Sequence, residues 1–210
     1  MKKATPPPRR KTGRPLSFDR NAALEKAMHL FWRHGYEATS LTELTRAMGV
    51  TPPSIYAAYG DKKGLFREAV ALYLARPLPP AEMVAHAESA TAAARFLLEG
   101  AAMAFTGETT PPGCLLASSA IAVSAEADDV RRELAEIRQG VEAALRDKII
   151  ADVAGGLLPA DTDATTLAAY TTSVIQGLST LARDGATRDK LVAIARLALS
   201  TWPLSPAGTS

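Results

Sequence analysis

Residues 40–60 read SLTELTRAMGVTPPSIYAAYG, and this stretch decides how the chain is parsed. Ser40-Leu41-Thr42-Glu43 has the capping-box form, in which the serine oxygen and the glutamate side chain satisfy free helix amides reciprocally. A helix opening there ends at Gly49. Thr51-Pro52 then supplies an N-cap and a proline at the first helical position. The spacing predicts a third helix to about Gly60. Two short helices separated by Met48-Gly49-Val50-Thr51, with glycine where the chain reverses, have the shape of a helix-turn-helix.

Working outward, Asp19 is a plausible N-cap for a first helix to about His34, with Leu24, Ala27, Met28 and Phe31 on one face. Gly35 ends it, and Tyr36 folds apolar surface back. Asp61 caps a fourth helix running to about Ala75. Pro77, Pro79 and Pro80 then break the chain, and five further helices are expected near 81–106, 114–124, 127–154, 162–184 and 187–201. No convincing strand alternation occurs. The expectation is an all-α chain of about nine helices: a three-helix helix-turn-helix domain joined to a larger helical domain. Its boundaries are a disordered basic arm at 1–16, the small domain at 17–62, the larger domain at 63–203 and a frayed tail at 204–210.

The chain has 210 residues, 47% hydrophobic and 22% charged, ordinary values for a globular protein. Its net charge of +2 hides a polarity. Residues 1–76 hold 14 Lys/Arg against 6 Asp/Glu, and residues 77–210 hold 10 against 16, so +8 is joined to −6. A basic small domain on an acidic larger one implies that only the first meets a polyanion, although a solvated basic tail gives the same count. No apolar run reaches the ~18 residues needed to span a bilayer. The basic start lacks the apolar stretch of a secretory signal. The single cysteine, Cys114, excludes an intramolecular disulfide and fits a reducing cytoplasm.

The third helix of a helix-turn-helix offers its N-terminal residues to base edges. Here Thr51, Ser54, Tyr56 and Tyr59 carry hydroxyls for phosphate or base contacts, and Pro52 and Pro53 offer rigid apolar surface to thymine methyls. Lys62 and Lys63 follow the cap of the fourth helix, whose amides favour phosphate. Arg14, on the arm, suits the minor groove. Tyr56 and Tyr59 also fit core aromatics at i, i+3, the lysines also fit plain solvated charges, and Ile55 reads as core.

Gly13-Arg14-Pro15, Phe31-Trp32-Arg33-His34-Gly35-Tyr36-Glu37-Ala38-Thr39-Ser40, Met48 to Tyr56 and Tyr59 to Phe66 together resemble, without gaps over 13–75, the N-terminal domain of TetR/AcrR-family regulators. The resemblance implies a homodimeric repressor that binds a palindromic double-stranded operator and is released by an effector in its C-terminal domain. Position by position, it implies that Ser40 and Thr51 to Ser54 face the operator, that Tyr56 and Tyr59 grip phosphate and that Lys62 is the phosphate lysine. Pro53 departs from the small or flexible residue common there.

Toward the C-terminus, Leu167, Tyr170, Val174, Leu178 and Leu181, then Leu191, Ile194 and Leu197, follow 3–4 spacing. Two such hairpins would form an intersubunit four-helix bundle, or the stripes are buried within one chain. The region holding Phe96, Leu97, Met103, Phe105, Leu115, Leu116, Ile121 and Val123 suits an apolar effector or a plain core, with Phe96, Met103, Cys114 and Leu115 the candidate ligand contacts. Pro112-Gly113-Cys114-Leu115 would set the thiol in the first turn of a helix, where amides stabilise a thiolate. Some relatives sense electrophiles, oxidants or copper through cysteine, so a cysteine- or copper-responsive sensor is the alternative to an apolar-ligand one. The histidines show no metal spacing with Cys114. An enzyme using Cys114 with His86 is a remote rival: no phosphate loop, paired-carboxylate motif or nucleophile elbow appears, and neither metal nor cofactor is expected.

Overall fold

Helix starts in the computed structural model, which describes residues 19–75, 79–119 and 124–203, are set largely by side-chain caps. Asp19 accepts hydrogen bonds from the amides of Asn21 and Ala22 and opens α1 (Arg20–His34). Ser40 and Glu43 form the expected capping box on α2 (Leu41–Met48). Gly49 turns the chain at φ 69° and ψ 34°, a left-handed conformation that costs a side-chain-bearing residue about 1–2 kcal/mol. Pro52 and Pro53 lead α3 (Pro52–Tyr59), and Asp61 caps α4 (Lys62–Leu74).

The remaining helices are α5 (Pro80–His86), α6 (Ala90–Ala104), α7 (Leu115–Ser118), α8 (Asp128–Ala154), α9 (Ala164–Arg183) and α10 (Arg188–Ser200), with a 3₁₀ turn at Ala125–Ala127. Among the described residues there are thus ten α-helices and no strand. The extra helix comes from the segment expected as one at 81–106. It breaks at Ala87, whose backbone is extended (ψ 146°), and restarts where Ser89 caps the amide of Ala92. The buried Asp152 carboxylate on α8 takes the Ala90 amide at 2.6 Å, a long-range cap that no local pattern encodes. The helix expected at 114–124 runs only over Leu115–Ser118, and residues 120–123, with Ile121 and Val123, lie outside the described residues. So do the basic arm and the tail at 204–210.

Three apolar cores hold these helices. The first joins α1 to α4 with Leu115 and Leu116 of α7 and Val130 and Leu134 of α8. Phe31 stands edge-on to Phe66 at 5.0 Å, and Trp32 edge-on to Tyr73 at 4.8 Å. The boundary expected at 62/63 falls inside this packing: Leu65, Phe66, Ala69 and Val70 of α4 share a core with α1. The second core gathers α5, α6, α8 and α9 around Leu145 and Ile149, and the third packs α6 against α9 and α10. No described helix is long and apolar enough to cross a membrane.

Candidate nucleic-acid interface

Thr51, Pro52 and Pro53 are exposed at the tip of α3, and Tyr56 is 50% exposed one turn later, with Ile55 fully buried beneath them. Thr51 Oγ1 and Ser54 Oγ lie 2.9 Å apart and share one hydrogen. Thr51 makes no side-chain cap bond, so both hydroxyls keep acceptor capacity for an outside partner. The structure thereby brings Thr51, Pro52, Pro53, Ser54 and Tyr56 together on one outward edge, with Ile55 as the anchor. Ser40 is exposed at the start of α2, its hydroxyl engaged with Glu43. The Glu43 carboxyl is held below its ordinary range by the hydrogen bonds from the Ser40 backbone and hydroxyl.

Lys62 sits at the start of α4 with its ammonium 4.5 Å from the Tyr36 ring centroid, donating to the Glu37 carbonyl at 3.2 Å. Burial pulls its pKa below the usual lysine value, opposed by Glu37 and Glu43. A partly desolvated cation already steered by an aromatic face loses little freedom on meeting phosphate.

Two expected contacts stand elsewhere. Tyr59 is only 7% exposed and packs in the first core, its hydroxyl 3.4 Å from the Arg20 carbonyl and its ring under the Arg20 guanidinium. Desolvation raises its pKa. Of the two tyrosines at i, i+3, Tyr56 points outward and Tyr59 is the core aromatic, because residues 55 and 59 share the inner face of α3. Lys63 turns away from α3 and donates to both Asp129 carboxylate oxygens at 2.8 Å, and that hydrogen bond raises its pKa. Next to it Arg67 grips Glu133, so two cations of α4 are spent on α8 rather than on an outside anion. Arg14 lies outside the described residues.

In the larger domain the expected effector residues do not converge. Phe96 and Met103 are 53% and 49% exposed on the outer face of α6, while Leu115 is fully buried in the first core. An apolar groove of about 270 Å³ lies instead between α4 and α8, lined by Phe66, Val70, Ala71, Leu74, Val130, Leu134 and Ile137 with Arg67 and Glu133 at its edge. The sequence reading placed no effector contact at these positions, because nothing local shows that the two helices part. Cys114 is half-buried and precedes α7, which has four residues, too short to lend the thiol a sustained helix field. Its amide donates to Ser179 Oγ at 2.8 Å and its sulfur accepts from the Tyr73 hydroxyl at 3.5 Å. His86 is exposed at the end of α5, its ring Nδ1 2.7 Å from the Glu82 carbonyl.

On α9 and α10 the outward stripe is Tyr170, Gly177 and Leu197, the last 68% exposed, bordered by Val174, Leu181 and Ile194, which are half-buried against the third core. Leu167 packs partly against the second core. Leu178 and Leu191 are fully buried in the third core, facing α6, so these two expected interface residues belong to the protomer. The 3–4 spacing carries both faces of an amphipathic hairpin and does not separate them.

Two family profiles match the chain: bacterial regulatory proteins of the tetR family over residues 23–69, and the tetracyclin repressor-like C-terminal domain over residues 93–196. The chain is 38% identical over 193 residues, 91% of its length and 92% of the relative's, to the HTH-type transcriptional repressor ComR of Escherichia coli strain K12. It is 28% identical to the repressor BdcR of the same organism, covering 89% and 90% of the two chains. Among solved structures, a cysteine mutant of the TetR family regulator CifR complexed with 26-bp double-strand operator DNA is 40% identical, with a TM-score of 0.84 over 91% of this chain and 100% of that one. A TetR regulator from Rhodococcus sp. RHA1 is 37% identical, with a TM-score of 0.61 over 89% of this chain and all of its own.

Proposed function

The chain belongs to the TetR family of bacterial regulatory proteins, and from that premise we propose that it is a cytoplasmic, homodimeric transcriptional repressor that reads a palindromic operator with α3. The observation that carries the reading is the tip of α3: Thr51, Pro52, Pro53, Ser54 and Tyr56 stand outward from a buried Ile55. Support comes from a 40%-identical relative whose structure, on operator DNA, has the same fold. Relatives matched over both domains are named as transcriptional regulators, and the chain is a regulator rather than an enzyme.

In this reading base edges are met by Thr51, Ser54 and the two prolines, and phosphates by Tyr56, Lys62 and the α2 terminus at Ser40. Arg14 remains the minor-groove candidate of the arm. The outward stripe of α9 and α10 pairs with that of a second chain, placing two α3 helices on one face of the duplex, about one turn or somewhat more apart. Selection from randomised duplexes tests this: enrichment of a two-fold symmetric motif is expected, and enrichment of none, or of an asymmetric one, contradicts it.

Release by a signal completes the cycle, and the α4–α8 groove is where an apolar effector would act, since an occupant there pushes on α4. It needs only different affinities for the two arrangements, and a coupling of ~1–3 kcal/mol is typical. A second reading has its own observation: Cys114 lies in the segment that touches both α1 and α9, so a modified thiol would disturb that junction. Operator release by a thiol-reactive agent in the native protein but not in Cys114→Ser assigns the signal to the cysteine. Release by a reversible apolar compound, equal in both proteins, assigns it to the groove. Among the described residues no three His, Cys, Asp or Glu side chains gather into a group.

A further inference from the structure

The last carbonyls of α1 are satisfied from far along the chain. Arg183, at the end of α9, donates from Nη1 to the Trp32 carbonyl at 3.3 Å and from Nη2 to the Arg33 carbonyl at 3.4 Å. Ser118 Oγ stands 3.2 Å from the same Trp32 carbonyl and 3.1 Å from the Leu115 carbonyl, its one hydrogen shared between them. A helix end leaves four such carbonyls without internal partners, and a guanidinium there also meets the negative end of the helix dipole. In return the buried Trp32 indole N–H donates to the Gly113 carbonyl at 2.9 Å, and the next amide, Cys114, donates to Ser179 Oγ on α9. The segment 113–118 is therefore clasped between α1 and α9.

Gly113 shows how tight the clasp is. At φ +80° it occupies a conformation that L side chains avoid, and a Cβ there would stand 2.8 Å from both the Ser179 carbonyl oxygen and Arg183 Cγ. Neither a backbone carbonyl of a long helix nor an anchored arginine stem can yield that space cheaply. The ion pairs of Lys63 and Arg67 with Asp129 and Glu133, and the apolar packing of α1 and α4 on Val130 and Leu134, tie the small domain to α8, which lies outside the proposed dimer hairpin. Arg183 bonds from that hairpin to the helix that carries α2 and α4.

We infer that Arg183, acting with the clasped segment at Gly113, is a positioning residue that fixes the angle between each helix-turn-helix and the dimer hairpin, and so sets the operator half-site spacing the protein accepts. The inference rests on the dimeric operator reading. Adding one base pair between half-sites rotates one against the other by about 34–36°, so a dimer with stiff joints discriminates spacing and one with loosened joints does not.

The test uses the full-length dimer, the selected operator and versions with one base pair inserted or removed at its centre. The native protein loses about tenfold or more affinity on the altered spacings. Arg183→Met keeps the aliphatic stem against Gly113 and removes both donors, and it narrows the penalty to about threefold or less, with dimer assembly unchanged and Arg183→Lys restoring part of it. Ser118→Ala is a milder cut of the same junction and carries the test if Arg183→Met does not fold. A native spacing penalty retained in every folded variant overturns the inference. A native protein that binds no two-fold site at all refutes the operator reading instead.

Discussion

Tyr56→Phe separates the fold from its contact with DNA. The Tyr56 side chain is half exposed, and its hydroxyl has no hydrogen-bond partner among the described residues. Deleting that oxygen therefore leaves α3 packed through Ile55 and Tyr59, and unfolding stability should move by no more than ~0.5 kcal/mol, the range of surface substitutions. In the proposed complex the hydroxyl would exchange a water for a phosphate oxygen, worth about 1 kcal/mol net. A two-fold dimer makes the contact twice, so about 2 kcal/mol, or roughly a 30-fold rise in Kd, is expected. The loss falls equally on the operator and on a scrambled duplex, because phosphate carries no sequence. Fluorescence anisotropy at several salt concentrations reads all of this. The slope of log K against log salt stays at the native value for the neutral Tyr56 change, whereas Lys62→Met lowers it by about 0.9 per subunit. If Tyr56→Phe kept its affinity and changed which sequence is preferred, the assignment of phosphate to Tyr56 would be wrong.

Other outcomes follow from the same geometry. Leu197→Glu, at a 68% exposed position, should leave the protomer folded and shift sedimentation from dimer toward monomer, while the fully buried Leu191→Ala should cost about 2–5 kcal/mol in denaturant unfolding. The reverse pattern would remove α10 from the interface. Trp32→Phe leaves the Gly113 carbonyl unpaired in a buried site and should lower stability by about 1–3 kcal/mol in urea titration; a change within error would mean that water takes the place of the indole. Hydrogen bonds from Lys63 and Arg67 hold Asp129 and Glu133 below their ordinary pKa values. Their contribution is complete above the usual carboxylate range near 4 and fades as pH falls through the lowered folded values. At low ionic strength the combined Asp129→Asn, Glu133→Gln protein should therefore show a shallower fall in Tm on acidification than the native one. An equal fall in both would assign acid lability elsewhere.

The legible parts of the fold are those whose signal is local. Asp19, Ser40 with Glu43, Asp61 and Gly49 each act within a few residues, and the helix starts and the turn they announce stand where the sequence puts them. The split near residue 87 was hidden because part of the cap that restarts the helix comes from Asp152, 62 residues beyond the Ala90 amide that it accepts. Tyr56 and Tyr59 carry one chemistry on two faces of α3, and only the packing of Ile55 and Tyr59 against α1 and α4 tells them apart. Lys63 reads like Lys62 until Asp129 is seen 66 residues away. Leu178 and Leu191 satisfy an interface stripe and a core stripe equally well by spacing. Arg183 had no local signal, since its partners at 32 and 33 lie about 150 residues upstream.

In the proposed complex two copies of the chain hold one two-fold operator through their α3 helices. The mass of the complex formed with the selected duplex tests this, set beside affinity for the same duplex with one half-site scrambled, at one fixed salt concentration. Two chains on one duplex, with affinity lowered about 10³-fold or more toward the non-specific level by the scramble, is the result predicted here. A single chain per duplex, or affinity indifferent to the scrambled half, would contradict it.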